Sequence, residues 1–135
     1  MSRRAKLLYI EDHAESMAEV AQLIAGRKDL VLLGAADAER GLKLARRTQP
    51  EVILISVDLP GIGALEFMKR LRAEAGAQKT TPILALATDA TPAAIVKGLE
   101  AGFFHYLAKP LQAEPFREAL AYALEFAALE RAEQL

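Results

Sequence analysis

Residues 52–72 read VILISVDLPGIGALEFMKRLR and combine an apolar run, a turn and a helical pattern. The opening VILIS lacks polar alternation, which is typical of a strand buried on both faces of a parallel sheet. Pro60 and Gly61 then interrupt the pattern as a turn. After the turn, apolar residues recur at the i, i+3, i+4, i+7 spacing of one helix face, at Ala64, Phe67, Met68 and Leu71. The stretch therefore predicts a buried strand followed by an amphipathic helix.

Four more apolar runs lie outside this stretch, and helical spacing follows each of them. The runs are LLYI at 7–10, LVLLGA at 30–35, ILALA at 83–87 and FFHYLA at 103–108. After the fourth strand, for example, Ile95 and Leu99 share a helix face that we expect to meet the core. Five strand–helix units predict an α/β protein. We expect a flavodoxin-like (βα)5 domain whose five-stranded parallel sheet has the order 2-1-3-4-5.

The chain has 135 residues, which suits one domain spanning 1–135, with a core at about 6–127 and a fraying helix end after about 128. Its 53% of hydrophobic residues suffices for a buried core. It contains no cysteine and no apolar run near the roughly 18–20 residues of a membrane span, so we expect a cytoplasmic protein without disulfides. A net charge of −1 gives no electrostatic attraction to nucleic acid.

Polar side chains follow three of the predicted strands. In an open parallel sheet, ligands bind beyond the carboxyl ends of the strands, where the strand order reverses, here between strands 1 and 3. The polar residues at this edge are Glu11 and Asp12 after strand 1, Ser56 and Asp58 at strand 3, and Lys109 after strand 5. We expect the Lys109 ammonium to pair with Glu11 or Asp12 across this crevice.

Four segments together resemble a known signalling family. They are LLYIED at 7–12, the stretch at 52–72, TPILALATDA at 81–90 and GLEAGFFHYLAKPL at 98–111. In this order and spacing they are similar to the receiver (CheY-like) domain of two-component response regulators, in a form most like the receivers attached to hybrid histidine kinases. The resemblance covers about 6–127. It implies a signalling module and not an enzyme, with protein partners such as a histidine kinase or another regulator.

The resemblance also implies a role for each position in the crevice, and the chain departs from the family at two of them. The aspartate that accepts the phosphoryl group, four residues before Pro60, is Ser56 here, and the switch Thr or Ser after strand 4 is Ala87. The retained positions are the acidic pair Glu11 and Asp12, Asp58 with a backbone carbonyl for the metal, the aromatic switch residue Tyr106, and the phosphoryl-contacting Lys109. A cis Lys109–Pro110 bond is expected, as in the family.

These departures favour a degenerate receiver that works without phosphorylation. A serine hydroxyl needs a base to become a nucleophile, and a hydroxyl in place of a carboxylate weakens an Mg²⁺ site formed by Glu11, Asp12 and Asp58. We therefore expect no cofactor, or Mg²⁺ held weakly. Two alternatives stay open: a working phosphoacceptor that uses Asp58 or Ser56 with Mg²⁺, and a small-ligand-binding flavodoxin-like domain. The second is disfavoured because no Gly-rich loop follows strand 1.

The last predicted helix carries more apolar surface than one sheet face requires. Phe116, Leu120 and Ala123 form the stripe expected to face the sheet, while Tyr122, Phe126 and Leu129 form a second stripe. Such a surplus predicts a partner surface. The resemblance implies dimerisation through helix 4, strand 5 and helix 5. Tyr106, beside the small Ala87, is expected to lie inward permanently.

Overall fold

The computed structural model describes residues 4–73 and 80–133. Within them, five strands alternate with five helices. In chain order they are β1 (Ala5–Ile10), α1 (Ala14–Leu23), β2 (Leu30–Ala35), α2 (Ala38–Thr48), β3 (Val52–Ser56), α3 (Ala64–Arg72), β4 (Ile83–Ala87), α4 (Pro92–Ala101), β5 (His105–Ala108) and α5 (Ala113–Glu133).

The strands form one parallel sheet in the order β2-β1-β3-β4-β5, which confirms the predicted α/β fold and its strand order. The register places Ile10 beside both Ala35 and Ile55, and Ser56 beside Leu86. Strands that are parallel and nearly in step end at the same edge of the sheet. The residues that follow β1, β3 and β5 are thereby brought to one place.

Each strand contributes to two cores because successive side chains point to opposite faces. Leu8 and Ile10 lie on the face covered by α2 and α3, together with the buried Phe67. Leu7 and Tyr9 lie on the other face, where Phe116 of α5 packs. Burial on both faces explains why these strands are apolar without alternation.

α4 is held to the sheet by a narrow contact. Its N-cap is Thr91, whose hydroxyl accepts a hydrogen bond from the Ala94 amide at 3.3 Å, and its C-cap is Gly102 with φ 117°. Gly98 is its buried residue, whereas Leu99 is 47% exposed. The prediction that Ile95 and Leu99 both face the core was therefore wrong for Leu99, because α4 meets β5 through its glycine.

The C-terminal turns of α5 contact the segment before β3. The helix continues to Glu133. The Arg131 guanidinium donates a hydrogen bond to the Gln49 carbonyl at 3.1 Å and lies 3.6 Å from the Glu51 carboxylate, which ties the last turns to the start of β3. Among the described residues, no helix combines the length and apolarity needed to cross a membrane.

Candidate functional site

The side chains that follow β1 and β5 meet the last residue of β3 at the carboxyl edge of the sheet. The Lys109 ammonium lies 2.7 Å from Glu11 Oε1 and donates a second hydrogen bond to Ser56 Oγ at 2.8 Å. The sequence left open whether Lys109 pairs with Glu11 or Asp12, and in the structure it pairs with Glu11. The Lys109–Pro110 peptide bond is cis. We call Glu11, Ser56 and Lys109 the crevice triad.

The Glu11 carboxylate is enclosed and already has its hydrogen-bond partners. Its side chain is 0% exposed. Besides the bond from Lys109, Oε1 accepts one from the Tyr9 hydroxyl at 3.2 Å, and Oε2 accepts one from the Asp12 amide at 3.0 Å. A buried charge is stable in a protein only when it is paired and hydrogen-bonded, as this one is.

Tyr9 is the part of this site that the sequence analysis missed. It is 1% exposed and lies in the core between the sheet and α5. Its position was available from the sequence, since residues i and i+2 of a strand share a face, and Tyr9 is two residues before Glu11. A tyrosine among aliphatic strand residues needs a partner for its hydroxyl. Glu11 is that partner.

The protonation of the site follows from these contacts. Burial by itself would raise the pKa of Glu11, but the hydrogen bond and positive charge of Lys109 outweigh it and lower the pKa to about 2. Burial and the adjacent Glu11 carboxylate raise the pKa of Tyr9 well above its ordinary value. At neutral pH the crevice therefore holds an ionised carboxylate bound to an ammonium and a neutral phenol.

Ser56 is 1% exposed and carries a neutral hydroxyl. Its oxygen accepts a hydrogen bond from a cationic ammonium, which draws electron density away from the hydroxyl. The Lys109 ammonium donates to both Glu11 and Ser56 and has no lone pair with which to act as a base toward Ser56. The crevice triad is arranged as a closed polar contact and not as an activated nucleophile.

Asp12 and His13 form the exposed rim of the crevice. The His13 imidazole lies 3.0 Å from the Asp12 carboxylate, and its side chain is 73% exposed. One potential ligand atom from each of Glu11, Asp12 and His13 falls within 4.8 Å of the others. However, both Glu11 oxygens are already hydrogen-bonded and Ser56 is neutral. Mg²⁺ requires about six oxygen ligands and favours carboxylates, so this donor set fits the ion poorly.

The structure places Asp58 away from the crevice triad's hydrogen bonds. Its carboxylate accepts bonds from the hydroxyl of Thr88 at 3.2 Å and from the Thr88 amide at 3.4 Å. It therefore links the loop after β3 to the exit of β4. This contact gives Asp58 a structural role, and Thr88 is a partner that the sequence analysis did not identify.

Tyr106 lies on the α4 side of the sheet. Its ring packs partly buried against the core group that includes Phe103, Ala85 and Met68. Ala87, at the switch position, is 1% exposed. Burial raises the pKa of the Tyr106 phenol, and the negative charges of Asp89 and Asp58 raise it further. The ring is thus turned toward the protein in this structure.

The second stripe of α5 divides into an internal and an external part. The rings of Phe126 and Phe104 lie 5.3 Å apart at 47°, so Phe126 packs against its own chain. Tyr122 and Leu129 are 62% and 61% exposed. Of the three residues predicted as an interface, these two present large apolar surfaces to solvent.

Comparison with known proteins identifies relatives of the whole fold. A family model described as the response regulator receiver domain matches residues 7–121. Protein-glutamate methylesterase/protein-glutamine glutaminase 6 of Anaeromyxobacter dehalogenans is 33% identical over 121 residues, which cover 87% of this chain and 33% of that protein. The nitrate/nitrite response regulator NarL of Escherichia coli K12 is 30% identical over 117 residues, covering 86% and 53%.

Solved structures agree with these sequence matches. The chemotaxis response regulator CheY4 of Vibrio cholerae has a TM-score of 0.79 and 28% identity, covering 90% of this chain and 100% of that one. The chain spans about a third of the methylesterase and about half of NarL, as the coverage of 33% and 53% shows.

Proposed function

The chain belongs to the response regulator receiver family of two-component signalling, and from that premise we propose that it is a degenerate receiver. In this proposal the crevice does not accept a phosphoryl group. The domain acts as a protein-interaction module whose conformation does not depend on phosphorylation, and it catalyses no reaction. Receiver domains are signalling modules, so the proposal concerns how this one is controlled and not whether it signals.

The contact between Lys109 and Ser56 carries the proposal. The ammonium at the phosphoryl-contacting position donates to Ser56 Oγ at 2.8 Å and to Glu11 at 2.7 Å. Both partners belong to the protein itself, so Lys109 is satisfied without a phosphoryl group. A phosphoryl group on Ser56 would add up to two negative charges close to the buried Glu11 carboxylate, with Lys109 as the cation between them, and like charges at this distance repel.

Phosphorylation of the Ser56 hydroxyl or of the Asp58 carboxylate is unfavourable. Ser56 needs a general base within hydrogen-bond reach, and its neighbour Lys109 is a cation that donates to it. Asp58 has a carboxylate, but that group accepts hydrogen bonds from Thr88 in the loop beyond the strand. We therefore propose that neither residue is the acceptor.

Mg²⁺ binding is proposed to be weak for a related reason. Of the two acidic residues that follow β1, Asp12 is accessible to an ion at the rim. The side chain of Glu11 is 0% exposed and is paired with Lys109. Removing one unit of negative charge about 4 Å from a divalent ion costs on the order of several kcal/mol at an effective dielectric of about 20. A site with one free carboxylate and several waters has little advantage over the hydrated ion.

Acetyl phosphate labelling tests the proposal. Wild type, Ser56→Asp and the matched control Ser56→Ala are incubated with acetyl phosphate and Mg²⁺ and then measured by intact mass. We expect no added phosphoryl group on wild type or on Ser56→Ala, and labelling of Ser56→Asp, which restores the carboxylate. One phosphoryl group on wild type would overturn the proposal. Its loss in Ser56→Ala would then identify Ser56 as the acceptor, and its retention would point to Asp58.

The partners proposed for this module are proteins of two-component signalling. Tyr122 and Leu129 on α5, with the exposed Val96 and Leu99 on α4, give the α4-β5-α5 face an apolar character. Large exposed apolar side chains clustered on one face favour association. We propose this face as the contact between two copies of the chain.

A further inference from the structure

α4 contains a glycine at the point where the helix touches the sheet. Gly98 is the buried residue of this helix. Glycine inside a helix is less stable than alanine, because its backbone loses more freedom on folding. Gly98 therefore lowers the stability of α4, and the residues packed against it must explain why a glycine is present.

The ring of Tyr106 occupies the space that a side chain at position 98 would need. A Cβ built on Gly98 would lie 2.7 Å from Tyr106 Cε2 and 3.3 Å from Cγ, and it would overlap Cδ2 outright. Real Cβ atoms do not approach carbon atoms that closely. The glycine lets the aromatic ring lie flat against the helix backbone.

We infer that Gly98 is a positioning residue that holds Tyr106 against α4, so that the helix, and not the crevice, sets the orientation of the aromatic switch residue. The inference deepens the proposed function and rests on it. A receiver with one fixed conformation needs Tyr106 to be held in place without a phosphoryl group, and Gly98 supplies such a contact.

The surroundings of the ring support this assignment. Ala87, 1% exposed on the neighbouring strand, has only a methyl group and so offers no hydroxyl to bind or direct the phenol. An open groove of about 360 Å³ lies beside the ring, and its lining includes Gly98 as well as Leu65, Lys97 and Phe103. If the contact with Gly98 is removed, the ring has space to turn into this groove and toward solvent.

A substitution at position 98 has two alternative outcomes, rotation of the Tyr106 ring or displacement of α4. α4 is loosely held, since Val96 and Leu99 are 53% and 47% exposed. An added methyl group is therefore accommodated either by rotation of the Tyr106 ring or by a shift of α4 with the ring in place. The inference requires the ring to move, so the experiment must observe the ring directly.

The first measurement is a double-mutant cycle by thermal unfolding. In a Tyr106→Ala background the ring is absent, and Gly98→Ala should raise the melting temperature by about 2–4 °C because alanine is the better helix former. In the wild-type background the same substitution should give no rise or a fall. Equal rises in both backgrounds would overturn the inference, because the ring would then not compete for the space at Gly98.

The second measurement follows the ring by fluorine NMR. The chain has three tyrosines, so 3-fluorotyrosine gives three signals, which single Tyr→Phe variants assign. A soluble gadolinium chelate broadens exposed rings. We expect the Tyr106 signal of Gly98→Ala to broaden as strongly as that of Tyr122, while Val96→Ala, a control on the exposed face of α4, leaves it unchanged. A Tyr106 signal unaffected by Gly98→Ala overturns the inference, whatever the melting temperature.

The fluorine NMR test and the labelling test can contradict their hypotheses independently. Phosphoryl transfer to wild type would overturn the proposed function, although the coupling between Gly98 and Tyr106 could still be measured. An unlabelled wild type whose Tyr106 ring ignores Gly98→Ala would overturn the inference and leave the proposed function standing.

Discussion

At the scale of single residues, Ser56 places a neutral hydroxyl beside the Lys109 ammonium. With Ser56 neutral, Lys109 has one anionic partner, Glu11, and binds it at 2.7 Å. Tyr9 adds a hydrogen bond to the same carboxylate. These contacts favour the ionised form of Glu11, so the stability they contribute depends on Glu11 remaining ionised.

The lowered pKa of Glu11 predicts how stability depends on pH. A folded-state value of about 2, against 4.5 without the fold, contributes stability that is fully present above the unfolded value and is lost as the pH falls toward 2. The contribution is on the order of 3 kcal/mol at pH 7 and roughly half of that at pH 3. We expect Glu11→Gln to lower the free energy of unfolding by this amount at pH 7.

Urea denaturation at several pH values checks this prediction. The difference between wild type and Glu11→Gln should shrink as the pH falls from 5 to 3. Glu15→Gln, which changes an exposed glutamate in the first turn of α1, is the matched control and should have little effect at any of these values. A difference that stays constant with pH would contradict the ion pair as the source of the stability.

At the scale of the elements, periodicity predicted each strand and helix because burial dictates it. The strands at 30–35, 52–56 and 83–87 appear where the apolar runs placed them. β5 begins at His105 and not at 103, because Phe103 and Phe104 pack in the loop that enters the strand. Pattern reasoning counted those phenylalanines as strand since it reads apolarity and not hydrogen bonding.

α5 shows the limit of the same reasoning. Its second apolar stripe was predicted as a single surface, but Phe126 pairs with Phe104 while Tyr122 and Leu129 face solvent. A helical wheel gives the direction of each side chain on its own helix. It does not show that the segment entering β5 reaches one of them.

This division predicts different effects for two aromatic residues one turn apart on α5. Phe126→Ala should lower the free energy of unfolding by about 2 kcal/mol, because it removes a half-buried ring from an aromatic pair. Tyr122→Ala should change stability by less than about 0.5 kcal/mol, since Tyr122 is 62% exposed. Urea denaturation of both variants measures the difference.

The two exposed residues of α5, Tyr122 and Leu129, test the proposed interaction face. By sedimentation equilibrium, Tyr122→Ala should weaken self-association of the chain while leaving its fold intact. Retained association in Tyr122→Ala and in Leu129→Ala would place the contact between copies elsewhere. A monomeric wild type would leave a second copy without support as the occupant of the face.

At the scale of the whole molecule, the sequence was sufficient for the topology and for the three residues of the crevice triad, but not for Tyr9. Strand order follows from alternating strands and helices with right-handed crossovers, and the crevice follows from the strand order. What the sequence could not supply was the choice among partners. Whether Lys109 bound Glu11 or Asp12, and whether Asp58 faced the crevice or Thr88, depends on distances of a few ångströms that only the folded backbone fixes.

Magnesium ions provide the last test, because binding of an ion to the folded chain alone raises the stability of the whole domain. Ser56→Asp adds a carboxylate beside Glu11, where like charges repel until a cation binds between them. If Mg²⁺ is present at ten times its Kd, the variant gains about 1.4 kcal/mol, or roughly 4 °C in melting temperature. For wild type and Ser56→Ala, the melting temperature in the same Mg²⁺ should differ by less than about 1 °C from that in sodium chloride of equal ionic strength.

A wild-type shift as large as that of Ser56→Asp would show that the neutral crevice holds the ion after all. An absent shift in Ser56→Asp would show that the Lys109–Glu11 pair keeps the site closed even when the missing carboxylate is restored.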